Sequence, residues 1–394
     1  MISACFIIKN EEKWLEGCLK NIQSLVSEMI IVDTGSSDRS KEIAEKFGAK
    51  IFDFKWVNDF AAARNFCISH ATMPWILNLD PDERISERDL ERIEDLTSQT
   101  EVPAFSFKIR NYSNDSSQTF FYPCAGEYSE FEKDQSGYFE TQRVKLFQNG
   151  KGIHFVGALH ELVETTVSGK ISRVDIPIHH FGELPEEKIR KSKDSLYFPI
   201  LQNKVENNPN DWKAHFELGT QHVGMKNFLQ ASQSFENALA LSKYPQIYSH
   251  LGHCYFMCGQ IEKAEAIFTE GIALYPKEHD IQFNYASMKT SQNCWNEALV
   301  LLQPLVKNHP RSFSAHRAIG YCFLNLSRFQ EAEGPLKKAL EIFPKYDDAR
   351  IDLGILRFMQ GSKTEAMVEA KKTLEFSPES LRAQGLLKAI EVHS

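Results

Sequence analysis

A 34-residue period in the second half of this 394-residue chain most strongly constrains its fold. Gly219 and Ala231 introduce the pattern, and residues 211–378 hold about five units of it. Such a period is typical of stacked helix pairs, because one pair cannot bury its apolar face alone. The small residues fit where two helices cross closely, and a proline ends the second helix. The recurring positions are Pro276, Pro310, Pro344 and Pro378, then Ala264, Ala298, Ala332 and Ala366, then Gly252, Ala286, Gly320 and Gly354.

The repeats predict an all-α solenoid whose core is filled by one large apolar residue in each unit. This residue follows the recurring alanine by four positions, at Phe235, Phe268, Leu302 and Leu336. Residues 380–392 are expected to form a capping helix. A solenoid of this kind presents an extended concave surface. We favour a peptide or protein partner there over an array that only supports a homodimer or rigidity.

The first half alternates apolar strand patterns with helical ones. Strands are predicted at residues 2–8, 29–32, 49–52 and 75–79, and helices at residues 11–26, 40–47 and 60–70. This alternation predicts an α/β domain with a mostly parallel, Rossmann-like sheet and right-handed crossovers. The Gly-rich phosphate-binding motifs of dinucleotide-binding and P-loop proteins are absent from the sequence.

Acidic residues follow two of the predicted strands. Asp80-Pro81-Asp82-Glu83 comes after the fourth strand, and Asp33 ends the second. Three neighbouring carboxylates repel one another unless a cation neutralises them, and a divalent ion bridging to a diphosphate is one candidate. The alternative is a helix start, which Pro81 and the acidic side chains also suit. Because ligands of parallel sheets bind at the carboxyl ends of strands, the position of Asp33 favours a binding site.

Charge and cysteine usage exclude several classes of protein. The net charge is −8 and no long basic tract is present, which argues against nucleic acid as a partner. No apolar run approaches the roughly 20 residues of a membrane span. The eight cysteines show no CxxC spacing, so neither a disulfide framework nor a zinc site is expected. A cytoplasmic location is predicted.

Four motifs in a fixed order resemble the donor half of a family 2 glycosyltransferase of the GT-A fold. The 34-residue units likewise resemble tetratricopeptide repeats, and the combination is similar to bacterial peptide and protein glycosyltransferases. One departure is Pro81, where alanine is commoner in the family. The motifs are Lys9-Asn10-Glu11-Glu12, Ile31-Val32-Asp33-Thr34-Gly35-Ser36-Ser37-Asp38, Asn58-Asp59-Phe60-Ala61-Ala62-Ala63-Arg64-Asn65 and Asp80-Pro81-Asp82-Glu83.

The resemblance implies a set of donor-binding residues, in which Asp33 contacts the nucleobase and Asp80 meets the ribose and the metal. The alternative for Asp33 is a turn-starting aspartate, and for Arg64 a salt bridge to Asp59. Glu83 is expected outside the metal's direct ligands, as a supporting or helix-capping residue. The donor-binding set is Asn10, Glu12, Asp33, Asp59, Arg64 and Asp80.

The resemblance also implies a metal site and an acceptor base. Asp80, Asp82 and His180 would bind Mn²⁺ or Mg²⁺, with His179 as the other candidate histidine. Glu161 would be the base and His160 its neighbour in the active site. The alternatives are an exposed His-Glu pair at a strand-to-helix junction and a buried histidine with a structural role.

The sequence and its resemblance therefore predict an inverting, metal-dependent glycosyltransferase of the hexosyl or N-acetylhexosaminyl type that uses a nucleotide sugar, with a UDP-linked donor favoured. The acceptor would be a protein or peptide recruited by the repeats. A cell-envelope glycan or lipid-linked acceptor is the alternative, and a non-catalytic scaffold is a third reading. Predicted boundaries are 1–183 for the catalytic domain, 184–210 for a linker helix and 211–394 for the repeats. Residues 111–139 are predicted to be an acceptor-facing loop.

Overall fold

The computed structural model describes residues 1–114, 121–184, 187 and 193–392. The chain divides into two compact units, Met1–Leu201 and Gln202–Ser394. The first combines strands with helices, and the second is helical in the part that the structure describes. An α/β domain followed by an all-α repeat unit was predicted, and this is confirmed. The finer boundaries stay a prediction, and residues 185, 186 and 188–192 of the predicted linker lie outside the described residues.

In the described residues, the α/β part of the first unit contains nine strands and five helices. The strands are β1 (Ile2–Ile8), β2 (Glu28–Asp33), β3 (Lys50–Asp53), β4 (Trp75–Asn78), β5 (Glu83–Arg84), β6 (Ala104–Ser113), β7 (Tyr122–Pro123), β8 (Gly137–Gln148) and β9 (Ile171–His180). The helices are α1 (Glu12–Ile22), α2 (Ser40–Lys46), α3 (Phe60–Ile68), α4 (Glu87–Leu96) and α5 (Ser129–Glu132), with a 3₁₀ turn at Glu164–Thr166. Helix α6 (Lys193–Asn207) follows.

The strands form one sheet in the order β3-β2-β1-β4-β8-β6-β9-β5, with β7 paired to β8. β1 runs parallel to both β2 and β4, and β2 runs parallel to β3. The four predicted strands therefore form the parallel half, and antiparallel pairing between β4 and β8 continues the sheet. Asp33 and Asp80 lie at the same edge of this half, with β1 between their strands.

The second half of the sheet returns toward the end of β4. β5 is the last strand of the order, yet only residues 79–82 separate it from β4 in the chain. Five residue steps span at most about 18 Å, so the strand path from β4 through β9 must curl back on itself. The segment Asp80-Pro81-Asp82 therefore connects β4 and β5, the two strands at the ends of this curled path. β9 pairs with β5, with His180 opposite Glu83.

Helices cover both faces of the parallel half. Successive residues of a strand point to opposite faces, and β1 follows this rule. Phe6 lies in the core that includes Leu15 of α1, whereas Cys5 lies in the core that includes Ala61 and Cys67 of α3. Both faces being buried explains why these strands read as continuous apolar runs.

The prediction of an irregular loop over residues 111–139 is wrong at both ends. Asn111, Tyr112 and Ser113 continue β6 and pair with the first residues of β8, Phe139, Tyr138 and Gly137. These strands were not recognised in the sequence because their aromatic residues do not alternate regularly with polar ones. Residues 115–120 of the predicted loop lie outside the described residues.

The repeat unit contains eleven described helices after α6, which pair as predicted. Each second helix between residues 261 and 376 ends two residues before a recurring proline, as at Leu274 before Pro276. No helix in the described part of the chain is long and apolar enough to cross a bilayer. The helices α7–α17 are Trp212–Gly224, Phe228–Leu241, Pro245–Met257, Ile261–Leu274, His279–Ser291, Trp295–Asn308, Phe313–Asn325, Phe329–Ile342, Asp347–Met359, Lys363–Phe376 and Leu381–Val392.

The recurring glycines allow the two helices of a repeat to pack closely, as the sequence predicted. A Cβ placed on Gly252 would lie 2.6 Å from the ring of Phe268, well inside van der Waals contact. The same holds for Gly219 against Phe235, at 2.7 Å. In the last repeat the neighbour of Gly354 is Leu386 of α17, at 2.7 Å, so the capping helix supplies the apolar residue there.

Candidate active site

Arg64 of α3 joins three separate parts of the first unit. Its guanidinium donates from Nη1 to Asn78 Oδ1 at 2.9 Å, from Nη2 to Asp80 Oδ1 at 2.8 Å, and from Nε to Glu161 Oε1. Arg64 is 8% exposed, so these contacts lie in a largely desolvated place. The structure thus brings together two predicted donor residues and the predicted base. Among the described residues, the ion-pair partners of Arg64 are Asp80 and Glu161, and Asp59 is not one of them.

The loop that carries Glu161 is fixed to α3. Asp59 caps this helix through its side chain, and the next amide, of Phe60, donates to Ala158 O at 2.9 Å. Asn65 binds both backbone polar groups of Phe155, donating to its oxygen at 2.9 Å and accepting from its nitrogen at 2.8 Å. The neighbours Arg64 and Asn65 therefore hold the same loop.

The loop closes on itself around Glu161. Val156 and Leu162 exchange two backbone hydrogen bonds, of 2.9 and 3.1 Å. Gly157 and His160 both have positive φ, 105° and 54°. Non-glycine residues with positive φ are uncommon and concentrate at functional sites. His160 therefore shapes the turn that presents Glu161, and its side chain is exposed.

A second cation, Lys145 of β8, lies beside Arg64 in the site. Lys145 Nζ is 2.7 Å from Glu83 Oε2 and 3.6 Å from Asp80 Oδ2. Glu83 also accepts from the backbone amide of Asp80 at 2.9 Å. Glu83 thus holds Asp80 and Lys145 in place, which agrees with the supporting role expected for it.

The charges of this cluster shift its pKa values in opposite directions. Burial alone would raise the pKa of Asp80, but the positive charges of Arg64 and Lys145 outweigh it and hold this pKa well below its usual value. Burial and the negative charge of Asp80 raise the pKa of Glu83, despite Lys145. Asp80 therefore stays ionised more firmly than Glu83.

Asp82 and His180 face each other across Gly182. Asp82 Oδ1 lies 3.6 Å from His180 Nε2. A Cβ on Gly182 would contact Asp82 Oδ2 and lie 2.6 Å from His180 Nε2, so the glycine leaves these two atoms their space. Burial lowers the pKa of His180, but Asp82, Glu83 and Asp80 outweigh burial and raise it.

The pair of Asp82 and His180 fits a divalent cation of the Mg²⁺ or Mn²⁺ kind. Among the described residues no three His, Cys, Asp or Glu side chains form a complete metal site. Such cations often take one or two protein carboxylates and complete their coordination with substrate phosphate oxygens. A carboxylate and an imidazole that meet over a glycine match this requirement, and the imidazole suits Mn²⁺.

The adjacent histidine, His179, points to the other face of the sheet. It is fully buried, and Tyr112 Oη lies 2.8 Å from its Nδ1. Its ring packs against those of Tyr128 and Phe131. Burial, with the charges of Arg110 and Arg88, lowers the pKa of His179 to about 3. The structure therefore brings His180, and not His179, to Asp82.

A cavity of about 340 Å³ lies beside Arg64, Asp80, Glu161 and His180, whereas Asp82 is not among its described lining residues. Five of the predicted site residues line it: Arg64, Asp80, His160, Glu161 and His180. Its remaining wall comes from both halves of the sheet, including Asn78 of β4, Asn111 of β6 and Lys145 of β8. Residues from the two ends of the curled sheet thus surround one space.

Asp33 lies outside the described lining of that cavity. Its carboxylate accepts from the amides of Gly35, at 3.1 Å, and Ser36, at 3.1 and 3.2 Å. Lys41 Nζ is 3.5 Å away. These contacts match the turn-starting alternative, although a carboxylate has further lone pairs for a ligand.

Asn10, Glu12 and Asp59 are also absent from the described lining. Asn10 Oδ1 accepts from the amide of Ser37 at 2.7 Å, and Glu12 Oε2 accepts from that of Arg39 at 3.2 Å. These two therefore gather at the loop after β2, close to Asp33 in the chain fold, whereas Asp59 serves as a helix cap.

Asn78, Asn111 and Lys145 are among the lining residues that the sequence did not predict. Asn78 is a polar residue inside an apolar strand run, which is a usable signal. Lys145 lies between the apolar residues Val144 and Leu146. In a sequence, a lysine in such an alternation is typical of an exposed strand position. Asn111 gave no signal, because its strand was not recognised.

Family models match both parts of the chain. Residues 3–163 match the model of glycosyl transferase family 2. Residues 245–278 and 291–347 match models of the tetratricopeptide repeat. Residues 3–163 therefore form a family 2 glycosyltransferase domain, and tetratricopeptide repeats follow it in the chain.

Similar curated proteins match part of the chain. A TPR repeat-containing protein of Synechococcus elongatus is 35% identical over 42% of this chain and 36% of its own length. An uncharacterized glycosyltransferase of Rickettsia conorii is 31% identical over 41% of this chain and 60% of its own. The glycosyltransferase SunS of the Bacillus subtilis SPbeta prophage is 25% identical over 56% and 49%. The chain thus spans less than two thirds of these relatives.

Solved structures similar to the chain include tetratricopeptide-repeat proteins. TTC0263 of Thermus thermophilus aligns over 46% of this chain and 100% of its own, with 20% identity and a TM-score of 0.40. YrrB, a TPR protein with an unusual peptide-binding site, aligns over 48% and 97%, with 18% identity and a TM-score of 0.39.

Proposed function

We propose that this chain transfers a sugar, with inversion, from a UDP-linked donor to a protein or peptide acceptor. One observation carries the proposal: Arg64 brings Asp80 and Glu161 to a single cavity at the carboxyl edge of the parallel strands. Sugar transfer needs two protein groups close together, because one must act at the leaving diphosphate and the other at the incoming nucleophile. Asp80 and Glu161 are two such groups. The family 2 domain supports glycosyl transfer as the reaction.

Glu161 acts as the general base. Its carboxylate takes the proton of the acceptor hydroxyl, thiol or amide group as the nucleophile attacks the anomeric carbon. The new bond forms while the bond from that carbon to the diphosphate oxygen breaks, and the electron pair leaves with the nucleoside diphosphate. A single displacement of this kind inverts the anomeric centre. The hydrogen bond from Arg64 Nε holds one carboxylate oxygen and leaves the other for the proton.

Asp82 and His180 would hold the divalent cation at the donor, with Asp80 close to Asp82 in the chain. When bound, a cation of this kind stabilises the negative charge of the leaving diphosphate. Arg64 and Lys145 approach different oxygens of Asp80, Oδ1 and Oδ2, and so fix the plane of this carboxylate. The positive charges of Arg64 and Lys145 would also help to neutralise the diphosphate of the donor.

The nucleoside would lie over the loop after β2. Asp33 is 2% exposed and is held by two backbone amides, so its orientation is fixed before a ligand arrives. We assign it the imide N–H of uracil, with Asn10 and Glu12 beside it. A UDP-linked donor is favoured because uracil offers this donor group next to carbonyl acceptors.

The acceptor would be bound by the repeat unit. Stacked helix pairs form extended surfaces suited to peptides and proteins. Matches to repeat models at residues 245–278 and 291–347 support this role.

The test is turnover of the full chain with a panel of UDP-sugars and Mn²⁺, measured as UDP release. Incubation of the full chain with radiolabelled donor and a bacterial lysate then separates the acceptor classes. Label on protein bands supports the proposal, whereas label in the lipid-extractable or polysaccharide fraction would replace the acceptor assignment. Absence of UDP binding by calorimetry, together with absence of release, would overturn the enzymatic function in favour of a scaffold. Asp82→Ala is the inactive control.

A further inference from the structure

Asn111 and His180 are direct partners in the sheet. β6 and β9 pair in parallel, with Asn111 opposite His180 in the register. The two side chains share one face, and Asn111 Oδ1 lies 2.7 Å from His180 Nδ1. Both residues line the cavity that also holds Asp80 and Glu161.

Three acceptors fix the orientation of the Asn111 amide. Its Nδ2 donates to Ile109 O at 3.2 Å, to Phe139 O at 3.3 Å and to Thr141 Oγ1 at 3.2 Å. The two carbonyl oxygens can only accept, so the NH₂ group must face them. If the amide were reversed, Oδ1 of Asn111 would face the carbonyl oxygens of Ile109 and Phe139, and neither atom could donate a hydrogen bond. Oδ1 therefore faces His180, and Asn111 is 6% exposed, so water does not compete with this arrangement.

The fixed amide determines which ring nitrogen of His180 carries a proton. An amide oxygen only accepts, so His180 Nδ1 must donate to it. The lone pair available to a cation is then on Nε2. This is the atom that lies 3.6 Å from Asp82 Oδ1 and beside the space left by Gly182. Metal-binding histidines commonly donate their second N–H in this way, which orients the ring and fixes its tautomer.

The neighbouring pair shows that this arrangement is particular to Asn111. Tyr112, the residue after Asn111, meets His179, the residue before His180, on the other face of the sheet, with Oη 2.8 Å from Nδ1. There the partner is a hydroxyl, which can donate or accept and so does not select a tautomer. The ring of His179 is enclosed by aromatic rings, with no carboxylate within ion-pair distance among the described residues.

We propose that Asn111 is a positioning residue that holds the His180 ring through Nδ1–H and so directs Nε2 at the cation shared with Asp82. The proposal rests on the metal dependence within the proposed function. It adds a residue that acts on the cation only through His180 and that the sequence motifs did not indicate.

The test measures Mn²⁺ binding, not activity. Free Mn²⁺ is followed by electron paramagnetic resonance in titrations of the full chain with UDP present, for the unaltered chain, Asn111→Ala, His180→Ala and Tyr112→Phe. We expect Asn111→Ala to weaken Mn²⁺ binding about 10- to 100-fold. Tyr112→Phe removes the matching hydrogen bond on the other face and should leave binding unchanged. Melting temperatures in EDTA show whether each variant is folded.

A second measurement observes the ring nitrogens of His180 directly. Long-range ¹H–¹⁵N spectra of the metal-free, ¹⁵N-histidine-labelled full chain should show His180 Nδ1 protonated, with the assignment taken from loss of the signal in His180→Ala. Asn111→Ala binding Mn²⁺ as tightly as the unaltered chain, while His180→Ala binds weakly, would overturn the positioning role and leave the proposed function intact. Absence of Mn²⁺ binding to the unaltered chain would overturn both this role and metal dependence. UDP release in EDTA would separately show whether transfer itself survives.

Discussion

Arg64 is buried and forms an ion pair with the partly exposed Asp80, in which Nη2 of the arginine lies 2.8 Å from Oδ1 of the aspartate. The same guanidinium donates to Glu161, which is 97 residues away in the chain. The pair therefore connects the predicted donor side of the site to the predicted base. Mutation of any of the three should affect the other two.

Replacement of Arg64 by alanine should destabilise the first unit. Asp80 and Glu161 would lose the cation that compensates their charges. Breaking a buried ion pair from one side typically costs 3–5 kcal/mol, and because Asp80 is about one third exposed we expect about 3 kcal/mol. Native-state hydrogen exchange of the β1 and β4 amides measures this change. Arg39→Ala, in the exposed pair with Glu12, should cost under about 0.5 kcal/mol. A loss below about 1 kcal/mol for Arg64→Ala would contradict this view of the cluster.

Glu161→Gln should lower the rate of UDP release about 100- to 10,000-fold, because the amide keeps an oxygen for Arg64 but cannot take a proton. The affinity for UDP should not change. Rates are compared with donor in excess, and calorimetry gives the UDP affinity. Glu91→Gln changes an exposed carboxylate of α4 and serves as the control. Equal rates of UDP release for Glu161→Gln and Glu91→Gln would show that Glu161 is not the base.

His179 should make the first unit less stable in acid. Its pKa is lowered to about 3 in the folded state, while an unfolded histidine titrates near 6.5. Below about pH 6.5 the unfolded chain binds a proton that the folded chain does not, so the free energy of unfolding falls with pH until about pH 3. Above pH 6.5 the residue contributes no pH dependence.

We expect His179 to account for about 1.5 kcal/mol of the stability lost between pH 6.5 and pH 5. His179→Phe, which keeps an aromatic ring beside Tyr112 and Tyr128, should lose that much less over the same interval. Hydrogen exchange at the two pH values gives both slopes. His154→Gln alters an exposed histidine and should keep the original slope. An unchanged slope in His179→Phe would contradict the buried, neutral state of this ring.

Two glycine-to-alanine changes in the repeat unit should have opposite signs. At Gly252 a Cβ would lie 2.6 Å from the ring of Phe268, and overpacking of this kind typically costs about 1–3 kcal/mol. At Gly334, inside a helix, nothing lies within 4 Å of the added Cβ, and alanine should stabilise by about 0.5–1 kcal/mol. Thermal unfolding by circular dichroism distinguishes the two. Similar shifts for both would argue against close helix crossing at Gly252.

Much of the fold followed from local patterns. The 34-residue period predicted the helix pairs, and the prolines at 276, 310, 344 and 378 mark their ends to within two residues. The apolar runs of the first half predicted the four parallel strands. These features are repeated or continuous in the chain, so they need no knowledge of distant contacts. The strands around residues 111 and 139 escaped because their aromatic residues give no clear alternation.

The sequence predicted several residues of the site but not the contacts among them. The sequence suggested Asp59 as an ion-pair partner for Arg64, five residues away. In the structure Asp59 caps α3, and Arg64 uses Asp80 and Glu161 instead. Which carboxylate an arginine meets depends on where the strands place their ends, and the sequence does not contain that information locally.

The sequence by itself determined the order of the motifs, the repeat period and the presence of acidic residues at the sheet edge, because periodicity and strand ends are properties of short segments. Only the tertiary structure decided that His180 faces Asp82 while His179 is enclosed by aromatic rings, and that Asn111 accepts from His180. The reason is register: side chains alternate between faces, so a shift of one residue between β6 and β9 would exchange the two histidines.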